Sequence, residues 1–240
     1  MAAVLLEVEV RHARDVPGAV EGGADRLLLQ TGDDVVGTSP ELALAASVIR
    51  AGDVPVRVVL RLAETFTTNG GELERLVGLA EEYVGLGAEG VSFGFLDADL
   101  EIDDETCRVL AARLPGIPWT FHRGFDAALD APRSWRRVRD LPGLTAVCSG
   151  GSMTGLSPGY DELLARAESD PDVARLLMPA GGLQAEQVPW FVRAGVRQFR
   201  VSDQVRPGGS LKSYVDASYV RSWRRMLDSA APGAGGVASA

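Results

Sequence analysis

One of only two histidines in the 240-residue chain, His122, closes an apolar run in the order Phe121-His122-Arg123-Gly124-Phe125-Asp126. A histidine at such a place can exchange protons near neutral pH or ligate a metal, and the flanking Arg123 and Asp126 are placed to hold a substrate or orient the ring. The plainer alternative is a histidine that only hydrogen-bonds within the core. His12 has no comparable setting and reads as a solvated turn residue. Two glycine pairs follow other apolar runs, in Ser149-Gly150-Gly151-Ser152 and Pro179-Ala180-Gly181-Gly182. Consecutive glycines let backbone N–H groups approach an anion, and a helix start behind them adds positive potential. Tight turns with no ligand explain the same pattern. Arg200 adds a guanidinium capable of paired hydrogen bonds to an anionic group.

The elements that must position these residues follow from periodicity. Short β-branched or apolar runs at 4–9, 26–30, 56–61, 90–95, 119–123, 144–149, 175–179 and 198–202 alternate with amphipathic stretches. Those stretches lie at 13–21, 40–51, 71–86, 103–114, 131–141, 159–168, 184–194 and 213–229. Eight strand–helix units in a chain of this length predict a single-domain α/β fold, a TIM (β/α)₈ barrel over 1–229, with a flexible tail at 230–240. The Gly-x-Gly-x-x-Gly turn of a dinucleotide-binding sheet is absent after the first strand. Chemistry in such a barrel sits at the carboxyl ends of the strands. Turning Leu6, Leu60, Phe121 and Phe199 outward onto the helices aims Glu7, Glu9, Gln30, Arg61, Gly94, His122, Ser149, Met178, Arg200 and Ser202 inward, as one polar pocket. Cys148 shares its parity with Ala146 and is expected to face the helices.

Composition narrows the function. With 46% hydrophobic residues the chain fills one core, and no apolar run is long enough to span a bilayer. A net charge of −9 argues against nucleic-acid binding. Cys107 and Cys148 form no CxxC pair, which favours a reducing, cytoplasmic setting over a disulfide or zinc framework. Lys212 is the sole lysine, so an amine nucleophile on a strand is lacking and Schiff-base chemistry is not expected.

The segments Glu-Gly-Gly-Ala-Asp-Arg at 21–26, Gly37-Thr38-Ser39-Pro40, the His122 element, Ser149-Gly150-Gly151 and Met178-Pro179-Ala180-Gly181-Gly182, in this order, resemble the CutC copper-homeostasis family over roughly 4–229. The resemblance implies a TIM barrel, a cytoplasmic location, self-association into homo-oligomers and Cu(I) binding. It departs where the family carries cysteines. The family's Glu-Val-Cys-Val-Asp reads Glu7-Val8-Glu9-Val10-Arg11 here, and Arg-Ile-Glu-Leu-Cys reads Arg26-Leu27-Leu28-Leu29-Gln30. Arg200 stands where the family has histidine. Cu(I) prefers sulfur donors; with Cys148 turned outward, only His122 and Met178 remain, so weak copper binding is expected. A second function fits the residues as well: an enzyme or sensor for a small anionic, phosphorylated or carboxylated, metabolite. In that reading His122 is the general acid–base, with Asp126 or Glu7 fixing its tautomer. Arg61, Arg123 and Ser149 hold the substrate, and Gly150, Gly151, Gly181, Gly182 and Arg200 hold its anionic group. A barrel kept only as an interaction partner is the third possibility.

Overall fold

Eight valine-, leucine- and phenylalanine-rich runs form eight parallel strands in the computed structural model, which describes residues 4–32, 34 and 36–231. They are β1 (Leu5–Val10), β2 (Arg26–Leu29), β3 (Val56–Val59), β4 (Gly90–Phe93), β5 (Trp119–Phe121), β6 (Leu144–Ser149), β7 (Leu177–Pro179) and β8 (Gln198–Val201). The sheet order β7-β6-β5-β4-β3-β2-β1-β8 is that of a nearly closed TIM-like barrel in a single domain. The connecting helices are α1 (Val16–Gly22), α2 (Leu42–Ile49), α3 (Gly70–Gly85), α4 (Asp104–Ala112), α5 (Ala131–Val138), α6 (Leu156–Ser169), α7 (Pro171–Leu176), α8 (Val188–Arg193) and α9 (Ala217–Ala230). Parallel strands joined by helices need both faces covered, which is why the strands are buried almost throughout. Leu6, Leu60, Phe121 and Phe199 pack in the layer between strands and helices, as their outward phase requires.

Several boundaries differ from the sequence reading. The strands at 56–61, 90–95 and 119–123 stop earlier, because their last residues leave the ladder to build the mouth. The run 175–179 is a strand only from Leu177. Before it lies α7, whose Asp170 accepts the Asp172 N–H and whose Pro171 occupies the first turn. α9 runs to Ala230, and the tail at 232–240 lies outside the described residues. Gly23 ends α1 in the left-handed region (φ 93°), the conformation that a turn back to the sheet demands and that glycine adopts without strain. Among the described residues no helix is long and apolar enough to cross a membrane.

Candidate functional site: the barrel interior and its mouth

Register decides which side chains share the interior, because residues level with one another on parallel strands point the same way. Glu7 is level with Arg26 on one side and Arg200 on the other. Its two carboxylate oxygens take one guanidinium each, Oε2 from Arg26 Nε at 2.5 Å and Oε1 from Arg200 Nε at 2.6 Å. Burial alone would raise this carboxyl, yet Arg200, Arg26 and Arg57 together outweigh it and hold it at about 2, below the ordinary 4.5. Glu7 is therefore fully buried, with its two oxygens on Arg26 and Arg200 and no hydrogen bond to His122. Also inside the barrel, Arg57 donates to Thr120 Oγ1 (2.6 Å), Thr145 Oγ1 (2.8 Å) and Glu89 (2.9 Å). Arg26 and Arg57 were not among the expected inward residues. The signal was present in the sequence: each shares parity with an inward residue of its own strand, Gln30 and Arg61 respectively.

The phase assigned to β6 is corrected. β5 and β6 are out of step between Trp119 and Thr120, since Trp119 is level with Leu144 but Thr120 with Ala146. The extra residue, Thr145, turns its hydroxyl to Arg57 inside the barrel, and the alternation restarts behind it. Ala146 and Cys148 thus face inward with Thr120, and Cys148 is level with Met178. Val147 and Leu177, not Cys148 and Met178, join the layer under the helices. Charges from Arg200 and Glu7 reach Cys148, whose thiol burial pushes up to about 11. Ser149 faces the opposite way, beside a separate cavity of about 60 Å³ walled by Phe125, Trp135 and Leu163. Gly94 also departs from the inward set, because a Cβ there would overlap the Phe121 ring.

His122 sits one residue beyond the Phe121–Val147 pair, which brings it level with Cys148. It is 2% exposed, flanked by Phe66 and Phe121. Burial first, then the charge of Arg61, pushes its pKa down to about 3, so the ring is neutral at physiological pH. Neither Asp126 nor Glu7 orients it. The Gly124 N–H donates to Nδ1 (3.1 Å), which assigns the proton to Nε2. Asp126 instead accepts from Arg123 Nε (3.0 Å), Ser149 Oγ (2.6 Å) and the Gly150 N–H (2.9 Å). Burial leaves its carboxyl above the ordinary aspartate value despite these donors. Arg123 also reaches the Ser152 and Met153 carbonyls, bracing the loop after β5 against the loop after β6. Arg61 is largely spent in the same way, on Asp34 (2.6 Å) and on the Gly37 and Glu64 carbonyls, with its guanidinium over Phe66 and its Nε buried without a partner among the described residues.

Above this layer opens a pocket of about 390 Å³, lined among others by Glu9, Gln30, Arg123, Gly181, Gly182, Arg200 and Ser202. Of the two glycine pairs, only the second reaches it. The Gly150 and Gly151 N–H groups are taken by Asp126 and by Ser149 Oγ, so they are not free to cradle an anion. Gly181 and Gly182 are both left-handed (φ 84° and 87°), and a Cβ on Gly181 would collide with Arg123. Among the described residues no three His, Cys, Asp or Glu side chains gather as a metal site. The sulfur pair Cys148–Met178 falls outside that count. It lies one layer below the pocket floor, since Ala180, two residues past Met178, lines the pocket.

Comparison of the sequence with known proteins points to one family. The CutC family matches residues 4–205. A human protein named copper homeostasis protein cutC homolog is 32% identical, with 82% of this chain and 72% of that protein covered. A CutC family protein of Xylella fastidiosa is 31% identical over 82% of this chain and 74% of its own. The CutC crystal structure from Streptococcus agalactiae superposes with a TM-score of 0.71 at 23% identity, covering 82% of this chain and 97% of that one, and so shares the barrel. The chain belongs to the CutC family.

Proposed function

We propose that this protein serves copper homeostasis by holding Cu(I) inside the barrel between the sulfurs of Cys148 and Met178. The observation that carries the reading is their level placement on neighbouring strands with both side chains on the inner face. A thiolate and a thioether are the donors that Cu(I) prefers over imidazole and carboxylate oxygen. The copper-homeostasis names of the relatives agree with this chemistry. It also explains how a member can lack the cysteines that the family carries at positions 9 and 30. A soft pair is supplied from the far side of the same interior, where strands β6 and β7 meet.

His122 stands level with this pair without being a free donor. Coordination through Nε2 would require moving the ring proton to Nδ1, and that would set it against the Gly124 N–H. The ring acts as a neutral wall beside the site. An anaerobic competition titration against a Cu(I) chelator tests the reading. Cys148→Ser should lose at least about tenfold in affinity, and Met178→Leu a smaller factor, while Cys107→Ser and His122→Ala change little. Unchanged affinity in Cys148→Ser, or loss of binding in His122→Ala alone, would overturn it.

A further inference from the structure

The mouth pocket holds a built recognition site that lies apart from the sulfur pair. Its polar groups come from two sides of the rim. On the β8 side lies Arg200, 6% exposed, whose Nε is committed to Glu7 while Nη2 is buried with no partner among the described residues. A guanidinium N–H left unpaired in the interior is costly unless something accepts from it. Beside it are Gly181 and Gly182, whose carbonyls are taken by the Leu156 N–H and by Gln184 Nε2. On the β1 and β2 side Glu9 and Gln30 supply acceptors, beside Arg11. Glu9 is 7% exposed, and one of its oxygens serves Arg11. Gln30 is 3% exposed, its side chain wedged against Gly37. The order β8-β1-β2 places them side by side, and continuing the β1–β8 register sets Glu9 level with Ser202.

The charges lining the pocket balance, with Arg11, Arg123 and Arg200 against Glu9, Asp34 and Asp203. A bare dianion would bring two negative charges into this neutral setting and leave Glu9 facing it. A molecule with a carboxylate at one end and a hydrogen-bond donor at the other satisfies both sides. We propose that the pocket binds a small carboxylic acid bearing a donor on its α-carbon, an α-hydroxy or α-amino acid, with the carboxylate on Arg200 and the donor on Glu9 and Gln30. The two positions where the family has cysteine here carry the acceptor half of the site, and Arg200, where the family has histidine, carries the other.

Propionate, L-lactate and L-alanine share a skeleton and differ only in the α-substituent, so they serve as probes, with inorganic phosphate as the bare anion. Backbone amide shifts of the metal-free protein are followed as each is added. L-Lactate or L-alanine should bind at least about tenfold more tightly than propionate or phosphate, shifting the amides of Gly181, Gly182 and Ser202. Which of the two binds more tightly identifies the donor. Ser202→Asp, at the pocket edge and outside the packed interior, should weaken binding by about tenfold or more through repulsion of the carboxylate. Equal binding of propionate, preference for phosphate, no saturable binding of any probe, or shifts confined to other residues would overturn the proposal.

Discussion

Replacing Glu7 by glutamine tests whether the barrel interior is organised by charge. The substitution keeps the shape of the side chain, removes the negative charge between Arg26 and Arg200, and turns one of the two accepting oxygens into an amide nitrogen that can only donate. The carboxyl of Glu7 is held at about 2 against an ordinary 4.5, which corresponds to about 3 kcal/mol of stability. Because the folded-state value is the lower one, that stability is fully present above about pH 5 and is lost as pH falls toward 2. Removing one member of a buried ion pair typically costs about 3 to 5 kcal/mol, which agrees in size. Urea unfolding of both proteins between about pH 2 and pH 7 gives the test. Wild type should exceed Glu7→Gln by about 3 kcal/mol at neutral pH, and the gap should close as pH approaches 2. The exposed carboxylates titrate in both proteins and cancel. Two curves that stay parallel down to pH 2 would refute the assignment of that stability to the Glu7 charge.

Copper affinity should rise about tenfold for each pH unit between about pH 6 and 9, with one proton released per Cu(I), because the Cys148 thiol sits at about 11 and must deprotonate to bind. His122, pushed down to about 3, adds no second proton, so potentiometry showing two protons or none contradicts the site. Asp15→Asn should cost about 3 to 5 kcal/mol, since this fully buried carboxylate accepts from Arg206 Nη1 and Nη2 and from three backbone N–H groups, those of Arg11, His12 and Val215; thermal or urea denaturation reads it. Borohydride treatment with small carbonyl compounds should leave the mass unchanged, because Lys212 is exposed in the loop after β8; an adduct there would reopen imine chemistry.

The repeated strand–helix units were legible because the strands are short β-branched or apolar runs and several return turns carry a glycine, those at 21–25, 85–89 and 193–197, so pattern and turn chemistry agree. The inward phase was legible on β1, β2 and β8, where Glu7, Gln30 and Arg200 alternate with leucine, valine and phenylalanine. It failed on β6 for a physical reason. Strict alternation carries no information about a bulge, and the extra residue at Thr145 reverses every side chain that follows. That single slip exchanged Cys148 for Ser149 and with it the expected copper chemistry. The fate of hydrogen bonds was not legible either. Arg61, Arg123, Gly150 and Gly151 have the types and spacing of ligand groups, yet the loops of the mouth consume most of their donors. α7 was missed although Asp170-Pro171 spells a helix start, because the apolar residues behind it read equally well as a strand.

The buried ionic layer and the proposed copper site are neighbours, so a charge change at Glu7 should be felt at the Cys148 thiol, with a sign set by the charge removed. Glu7 raises the Cys148 thiol and Arg200 lowers it. Glu7→Gln therefore makes the thiol more acidic. This does not translate into tighter copper binding. Cu(I) replaces a proton on the same sulfur, both carry one positive charge, and a fixed charge one layer away attracts either nearly equally. The two effects cancel in the exchange of proton for metal. The variant should thus lose about 3 kcal/mol of stability while its chelator-competed Cu(I) affinity at neutral pH stays within about threefold of wild type. The fall in the thiol pKa would appear separately, as faster reaction of Cys148 with an alkylating reagent in the metal-free protein. A change in affinity of several decades would mean that Glu7 approaches the metal itself, and would move the copper site down from the sulfur pair into the arginine clamp.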